Sequence, residues 1–502
     1  MAEKPEVMYT ENASIARDKG DVIHSEDASD DSPSQHDHDV SKAESGGFIE
    51  DKTRARKLVR KMDLHILPLC AWLYLLNYLD RGNIGNSKVL NSETGDSLIQ
   101  QTNMTNTNYA VAVSLFSLAY FLFEVPSNWI MKRYVRPSVW LATLLGCWGV
   151  FTLGFAGVQN YAQVVVLRFF IGVFEAGFFP AIVYLITFWY PVEERSVRIA
   201  FVLASATAAG AFGGCIAYGV GHLNGDGGLE GFRWLFIIEG LITIVMVLPV
   251  LFLLPDYPST AKFLSEDDKK YVQDRIAVKG GGYTKEKSSR QEILTTAFSP
   301  RMLAHYFAYA CDCVPLGSLT FFTPTIVSGL GYTSIKAQLM TVPPWVVGYF
   351  FCLFLGWSAD RHNARGWHIM GSSILGGVGW LTAGLLPADA YTARYGCLML
   401  CACGAFPSTG PLSAWVTCNV PAIACMGIAT AMNNSMAGIS QIIAQWIWIP
   451  AEAERGYPTG NFVCAGCSFA TVLLALGMRL NYGRMNKMGI RDAKGNERTW
   501  LL

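Results

Sequence analysis

An acid and a guanidinium stand side by side where an apolar segment should exclude both. Asp80 and Arg81 lie in Tyr78-Leu79-Asp80-Arg81-Gly82-Asn83-Ile84-Gly85-Asn86-Ser87, within a run that begins near Leu64 and includes Ile66, Leu67, Leu69, Trp72, Leu73 and Leu76. An Asp or Arg at the centre of a membrane helix costs roughly 2.5 to 3.5 kcal/mol, so such residues normally face a wet cavity or a partner. The next such charges, Arg168 and Glu175, lie in the segment Leu167 to Pro180. Seven residues apart, they share a helix face about two turns from each other. A shared face implies a shared cavity. Burial disfavours the charged form of a carboxyl, and a nearby cation favours it. Asp80 and Glu175 therefore have the chemistry for proton exchange near neutral pH, with Arg81 or Arg168 tuning them and able to attract an anion. Two plainer readings compete. Leu64 to Leu79 falls short of the roughly 20 residues a span needs, which would leave Asp80 and Arg81 just outside the bilayer. Alternatively, a permanent ion pair merely locks the first and fourth spans together.

The elements that must position these charges are membrane spans. Of the 502 residues 51% are hydrophobic and 48 are Gly, too apolar and glycine-rich for an ordinary soluble protein. About twelve apolar segments of spanning length run from Leu64 to Leu480, separated mostly by short polar turns. The longest polar gap, near Pro255 to Arg301, divides them six and six. The expected organisation is a disordered cytosolic N-terminal tail (1–62), a six-helix bundle (63–254), a cytosolic central loop (255–300), a second six-helix bundle (301–480) and a cytosolic C-terminal tail (481–502). Bases recur on alternate loops, at Lys132, Arg133 and Arg136, at Arg195 and Arg198, at Arg361 and Arg365, and at Arg479 and Arg484. The positive-inside rule makes those loops and both termini cytosolic. Lys88, Arg233, Lys336, Arg394 and Arg455 keep the bias from being absolute.

Other polar residues in the spans are less sharp. Asn433, Asn434, Ser435, Ser440, Gln441 and Gln445 give the eleventh span a polar content that suits hydrogen bonds to a carboxylate or hydroxyl, or equally interhelical contacts. Glu239 and Asp312 are further candidate buried acids that could instead pair locally. His65 and His305 stand near the starts of their spans, where interfacial anchoring is the favoured reading. The 13 Cys are an odd count, many inside apolar runs, and indicate neither a disulfide framework nor a metal set. The run His36-Asp37-His38-Asp39 reads as solvated charge in a polar tail. The formal net charge is zero, which gives no argument for a nucleic-acid partner. No phosphate loop, His-Glu-x-x-His or Gly-x-Ser-x-Gly elbow occurs, so neither an enzyme nor a cofactor is expected, and a transporter acting alone would draw on an ion gradient.

Four stretches, Asn77 to Asn86, Glu124-Val125-Pro126-Ser127-Asn128, Arg168 to Pro180, and Phe232 to Gly240, together resemble the major facilitator superfamily. Within it they resemble the fungal anion:cation symporters of the allantoate and nicotinate permease type. The resemblance covers nearly all of the chain after Leu64. It implies an all-α membrane protein of twelve transmembrane helices in two six-helix bundles, monomeric in the bilayer, working by alternating access. It implies proton-coupled import of a small organic anion, a nicotinate-like or ureide-like carboxylate, at the plasma membrane. Asp80 and Glu175 would then be the proton-coupling residues. Arg81 would be the coupling cation and Arg168 a second cationic position, with Asn434 and Gln441 completing the substrate site. Asp360 and Arg361, at the end of the eighth span, would form a cytosolic gate. Val416 to Cys425 lacks a basic residue that family members often carry, which would weaken that gate. Export of a fungal metabolite by the same fold is the alternative, against which Ala209 to Gly214 lacks the prolines of the proline-flanked antiporter motif. A non-transporting nutrient sensor is a third reading, less favoured because the C-terminal tail is short.

Overall fold

The computed structural model describes residues 51–278, 290–489 and 500, apart from 333, 363 and 421–425. The histidine and aspartate run at 36–39, most of the N-terminal tail, part of the central loop and the stretch 421–425 lie outside the described residues. Among those described, regular structure is entirely helical.

Ten helices are long and apolar enough to cross a membrane. They are α1 (Lys52–Val89), α2 (Asn106–Tyr134), α3 (Pro137–Gly157), α4 (Tyr161–Trp189), α5 (Val197–Gly221), α6 (Gly231–Leu253), α7 (Pro300–Ser328), α8 (Ser334–Ala359), α10 (Tyr391–Asn419) and α12 (Pro458–Lys487). Two further helices of 21 residues each, α9 (Arg365–Leu385) and α11 (Met426–Trp446), stand where the ninth and eleventh spans are expected. Their polar and small residues explain the lower apolarity. In α9, Gly376 packs against the backbone of Gly404 on α10. In α11, Ser440 Oγ donates to the carbonyl of Ala310 on α7 at 2.8 Å. Close approach at small residues and hydrogen bonds to a neighbouring helix's backbone are contacts by which helices associate in a membrane.

Two boundaries differ from the sequence reading: α12 continues to Lys487, into the segment read as C-terminal tail, and α1 begins well before residue 63. Residues 52–62, read as tail, are the start of α1. Asp51 caps the helix, its carboxylate accepting from the backbone N–H groups of Thr53 and Arg54 at 2.8 and 3.1 Å, a contact typically contributing about 1 kcal/mol. Ala55, Leu58, Met62 and Ile66 then form a buried stripe at helical spacing. Arg54 pairs with Asp268 at 2.9 Å, and Asp63 with Arg198 at 2.8 Å. The Arg54 guanidinium holds the Asp268 carboxyl below the usual carboxylate range.

The halves α1–α6 and α7–α12 meet around the C-terminal end of α1. There Gln338 Nε2 donates to the Asn86 carbonyl at 3.2 Å, the Ser334 N–H to Glu93 at 2.9 Å, and Trp446 Nε1 to Ser114 at 3.1 Å. Gly85 is needed for this approach. A Cβ in its place would stand 2.6 Å from the carbonyl oxygen of Phe321 on α7. Toward the other end of α1, ion pairs tie Arg198 to Asp63 within the first half, and Arg275 of the central loop to Glu194.

Candidate functional site

The first half buries a cluster whose charged residues come from four of its helices, α1, α2, α4 and α6. Arg81 on α1 donates through Nε to Glu175 Oε2 on α4 at 2.9 Å, with side chains 7% and 0% exposed. The guanidinium also lies over aromatic rings, with centroids at 4.5 Å for Tyr120, 5.1 Å for Tyr78 and 5.7 Å for Phe116. Cation–π contacts of this kind contribute up to about 2 kcal/mol when desolvated, which helps a guanidinium stay where water is scarce. Asp80, next in sequence to Arg81, points elsewhere because adjacent helix residues diverge by about 100°. Its Oδ2 accepts from Trp148 Nε1 on α3 at 2.6 Å.

Arg168 lies one face with Glu175, as the spacing suggests, but Arg81 makes the ion pair. The Arg168 guanidinium sits 5.2 Å from the ring of Phe155 and 5.9 Å from that of Phe116, and its Nε and Nη2 have no acceptor among the described residues. At 1% exposure it is a buried cation held mainly by rings. Glu239 on α6 accepts from Asn83 Nδ2. Asp80 feels the charges of Glu239, Glu175 and Arg168.

One member of the cluster has no role in the sequence reading. Glu124 on α2 is 4% exposed, close enough to Arg81 to feel its charge, and its Oε2 has no partner among the described residues. A carboxylate inside the second apolar span was the available signal. Among the described residues, one oxygen each of Asp80, Glu124, Glu175 and Glu239 lacks a donor. A carboxyl oxygen without a donor is where a proton can be carried, since the protonated form is itself a donor.

The remaining expected residues lie apart from this cluster. Gln441 on α11 reaches across to the first half, accepting from Ser117 Oγ at 3.5 Å. Asn434 is half-buried on α11 and makes no hydrogen bond to the cluster among the described residues. Arg361 is exposed, its guanidinium 5.9 Å from the ring of Trp357, and the Asp360 side chain lies outside the described residues. Asp312 is satisfied locally by Ser408 and Thr409 on α10. His305 differs from the interfacial reading. It is fully buried, with Nε2 2.8 Å from the Tyr482 hydroxyl and its ring edge-on to Trp415, because α7 turns that face toward α10 and α12 rather than toward the surface. His65 is exposed and stacks on Phe263 at 4.2 Å. Among the described residues no group of three or more His, Cys, Asp or Glu is arranged to hold a metal.

Two cavities border these helices. A narrow one at the junction of the halves is lined by Tyr78, Gly82, Asn86, Ala209, Thr323 and Trp345. It adjoins the site through Tyr78, whose ring faces Arg81. The other, about 320 Å³, lies wholly in the second half, among Trp380, Asp389, Arg394, Trp448, Glu454 and Tyr457, away from the charged cluster.

Residues 70–445 match the model of the Major Facilitator Superfamily. The chain is 47% identical over 444 residues to the MFS transporter prlL of Fungal sp. (strain NRRL 50135), covering 88% of this chain and 90% of that protein. It is 31% identical over 324 residues to a putative tartrate transporter of Agrobacterium vitis, covering 64% of this chain and 72% of that protein. The crystal structure of a D-xylose-proton symporter superposes with a TM-score of 0.61 at 15% identity, covering 82% of this chain and 96% of that one.

Proposed function

The chain belongs to the Major Facilitator Superfamily, a family of membrane transporters and not of enzymes, and on that premise we propose that it imports a small organic anion together with protons. In this reading it is a symporter of the anion:cation type, placed in the plasma membrane with both termini cytosolic, and its substrate is a small carboxylate.

One observation carries the proposal. The buried cluster holds four carboxyls, Asp80, Glu124, Glu175 and Glu239, against two guanidiniums, Arg81 and Arg168. Fully ionised, it would carry two uncompensated negative charges in a dry site, and uncompensated buried charge is strongly destabilising. Protons balance it. The exchange then runs through Arg81. With Glu175 ionised, the guanidinium is taken. With a proton on Glu175, the ion pair becomes an ordinary hydrogen bond and Arg81 is free to take a substrate carboxylate. Proton and anion therefore favour each other's binding, and by linkage the coupling is reciprocal. Asp80, held by Trp148, supplies a second proton position, and Arg168 a second attraction for the anion. Gln441, which already bridges the halves, and Asn434 would donate to the substrate once the junction cavity admits it. A relative named for tartrate, a small dicarboxylate, points to the same substrate class.

Voltage sets the proton count that would be useful. Moving a charge is worth about 2.3 kcal/mol per 100 mV, so one proton with one monoanion gains nothing from the membrane potential, while two protons do. The test is uptake of a labelled carboxylate panel, nicotinate and tartrate included, into proteoliposomes at acid and neutral outside pH. Acid-stimulated accumulation abolished by an uncoupler is expected. Accumulation that ignores both pH and uncoupler would refute proton coupling.

A further inference from the structure

Two turns beyond Arg81, on the same face of α1, stands Lys88, which the mechanism above leaves idle. A lysine in the last turn of a helix normally extends its ammonium to water. Lys88 instead is half-buried. Its Nζ lies 4.8 Å from the ring centroid of Tyr109 on α2 and 5.4 Å from that of Phe322 on α7, rings that are 1% and 4% exposed. Among the described residues no carboxylate meets it. A cation with no acid, held by rings, has its charge available for a ligand.

The two rings belong to different halves. Tyr109 travels with Lys88, whereas Phe322 travels with the second half, one residue beyond the Phe321 carbonyl that packs on Gly85. Parting the halves at this face removes Phe322 and leaves the ammonium facing the opening with only Tyr109 behind it. We propose that Lys88 is an anion-binding site, the first cation a carboxylate meets when this face opens, and that Phe322 caps it when the face shuts. The inference rests on the proposed function and adds an entry step to it. Lys88 and Arg81 are seven residues apart, about 10 Å along the helix, more than the width of one carboxylate group. A monocarboxylate is therefore passed from Lys88 to Arg81, while a dicarboxylate engages them in turn with its two ends. Closure returns Phe322 to Lys88 as the anion moves inward, which disfavours its return.

The test separates the two faces. Uptake of labelled nicotinate and tartrate is measured from outside in intact cells, and from the cytosolic side in inside-out vesicles, for wild type, Lys88→Met, Lys88→Arg and Phe322→Leu. Losing one charge-assisted contact should raise the outer KM of Lys88→Met about tenfold, with the inner KM nearly unchanged and Lys88→Arg close to wild type. Phe322→Leu keeps the ammonium but removes its cap, so its outer KM should fall about twofold or more. That variant keeps the test decisive if Lys88→Met fails to reach the membrane. Outer KM values unchanged in both variants, or equal rises at both faces, overturn the entry site while leaving Arg81 and Glu175 as proposed. A wild type that carries neither acid from either face removes the anion reading itself, and Lys88's role with it.

Discussion

Replacing Glu175 with Gln isolates the exchange between proton and anion. The amide keeps the side chain's size and can still accept from Arg81 Nε, which lies 2.9 Å away, but it carries no charge and no exchangeable carboxyl proton. A hydrogen bond to a charged group contributes about 1.5 to 3 kcal/mol net and a neutral one about 0.5 to 1.5. The difference, about 1 kcal/mol, is the advantage with which ionised Glu175 competes against a substrate carboxylate for Arg81. Since 1.4 kcal/mol is tenfold in affinity, substrate affinity at neutral pH should rise about fivefold in Glu175→Gln. Coupling should move the opposite way. A pH step of two units is worth about 2.7 kcal/mol per proton, so each coupled proton supports about a hundredfold accumulation. Losing one coupled proton should cut accumulation by that factor. The assay compares net accumulation under a pH step with equilibrium exchange of the same anion without one, in proteoliposomes of equal protein content. Exchange retained and accumulation lost is the expected pattern. Accumulation retained with its pH dependence would refute the exchange at Arg81, and loss of exchange together with accumulation would assign Glu175 to helix packing.

Arg81→Lys keeps the charge but loses the planar fork and its stacking on Tyr120. Equilibrium exchange should drop about tenfold or more, because Lys does not reproduce the geometry of a bonded and stacked guanidinium. Gly85→Val places carbon against the Phe321 carbonyl, 2.6 Å from where a Cβ would stand. The halves should then fail to close at that face. Transport should stop, and a thiol reagent should label Gln338→Cys, at a position fully buried in the native protein, faster than in the Gly85 background. The Arg54 to Asp268 contact gives a pH signature outside the membrane. Because the folded Asp268 carboxyl is held below its ordinary range, its contribution is complete at neutral pH and disappears as pH falls through the folded value. Thermal stability of Asp268→Asn in detergent should therefore lie below wild type at pH 7 and converge with it in strong acid. A difference that persists in acid would refute the assignment.

What the sequence made legible was depth; what it hid was azimuth. Asp80, Arg81, Arg168 and Glu175 stand out because a charge inside an apolar run is costly enough to be rare. All four are buried in the one cluster. Their pairing was not legible, because which way Arg81 points depends on how α1 is rotated against α2 and α4. Spacing on one helix joined Arg168 with Glu175, and packing between helices joined Arg81 with Glu175 instead. Glu124 was hidden for a related reason. In the string it precedes Pro126 and the bases Lys132 and Arg133, as a residue near a span's end would, yet α2 runs unbroken through Pro126 to Tyr134 and carries Glu124 well inside. His305 repeats the error in reverse. It stands near the start of α7, but its face is turned to Trp415 and Tyr482, so depth alone misassigns it to the interface. The start of α1 was missed because its apolar stripe is one face wide, too narrow to register as a span. Lys88 follows the same logic. Its seven-residue spacing from Arg81 can be read from the string, but the rings that hold it come from α2 and α7, and only the packing of the two halves against each other shows that these rings belong to different halves.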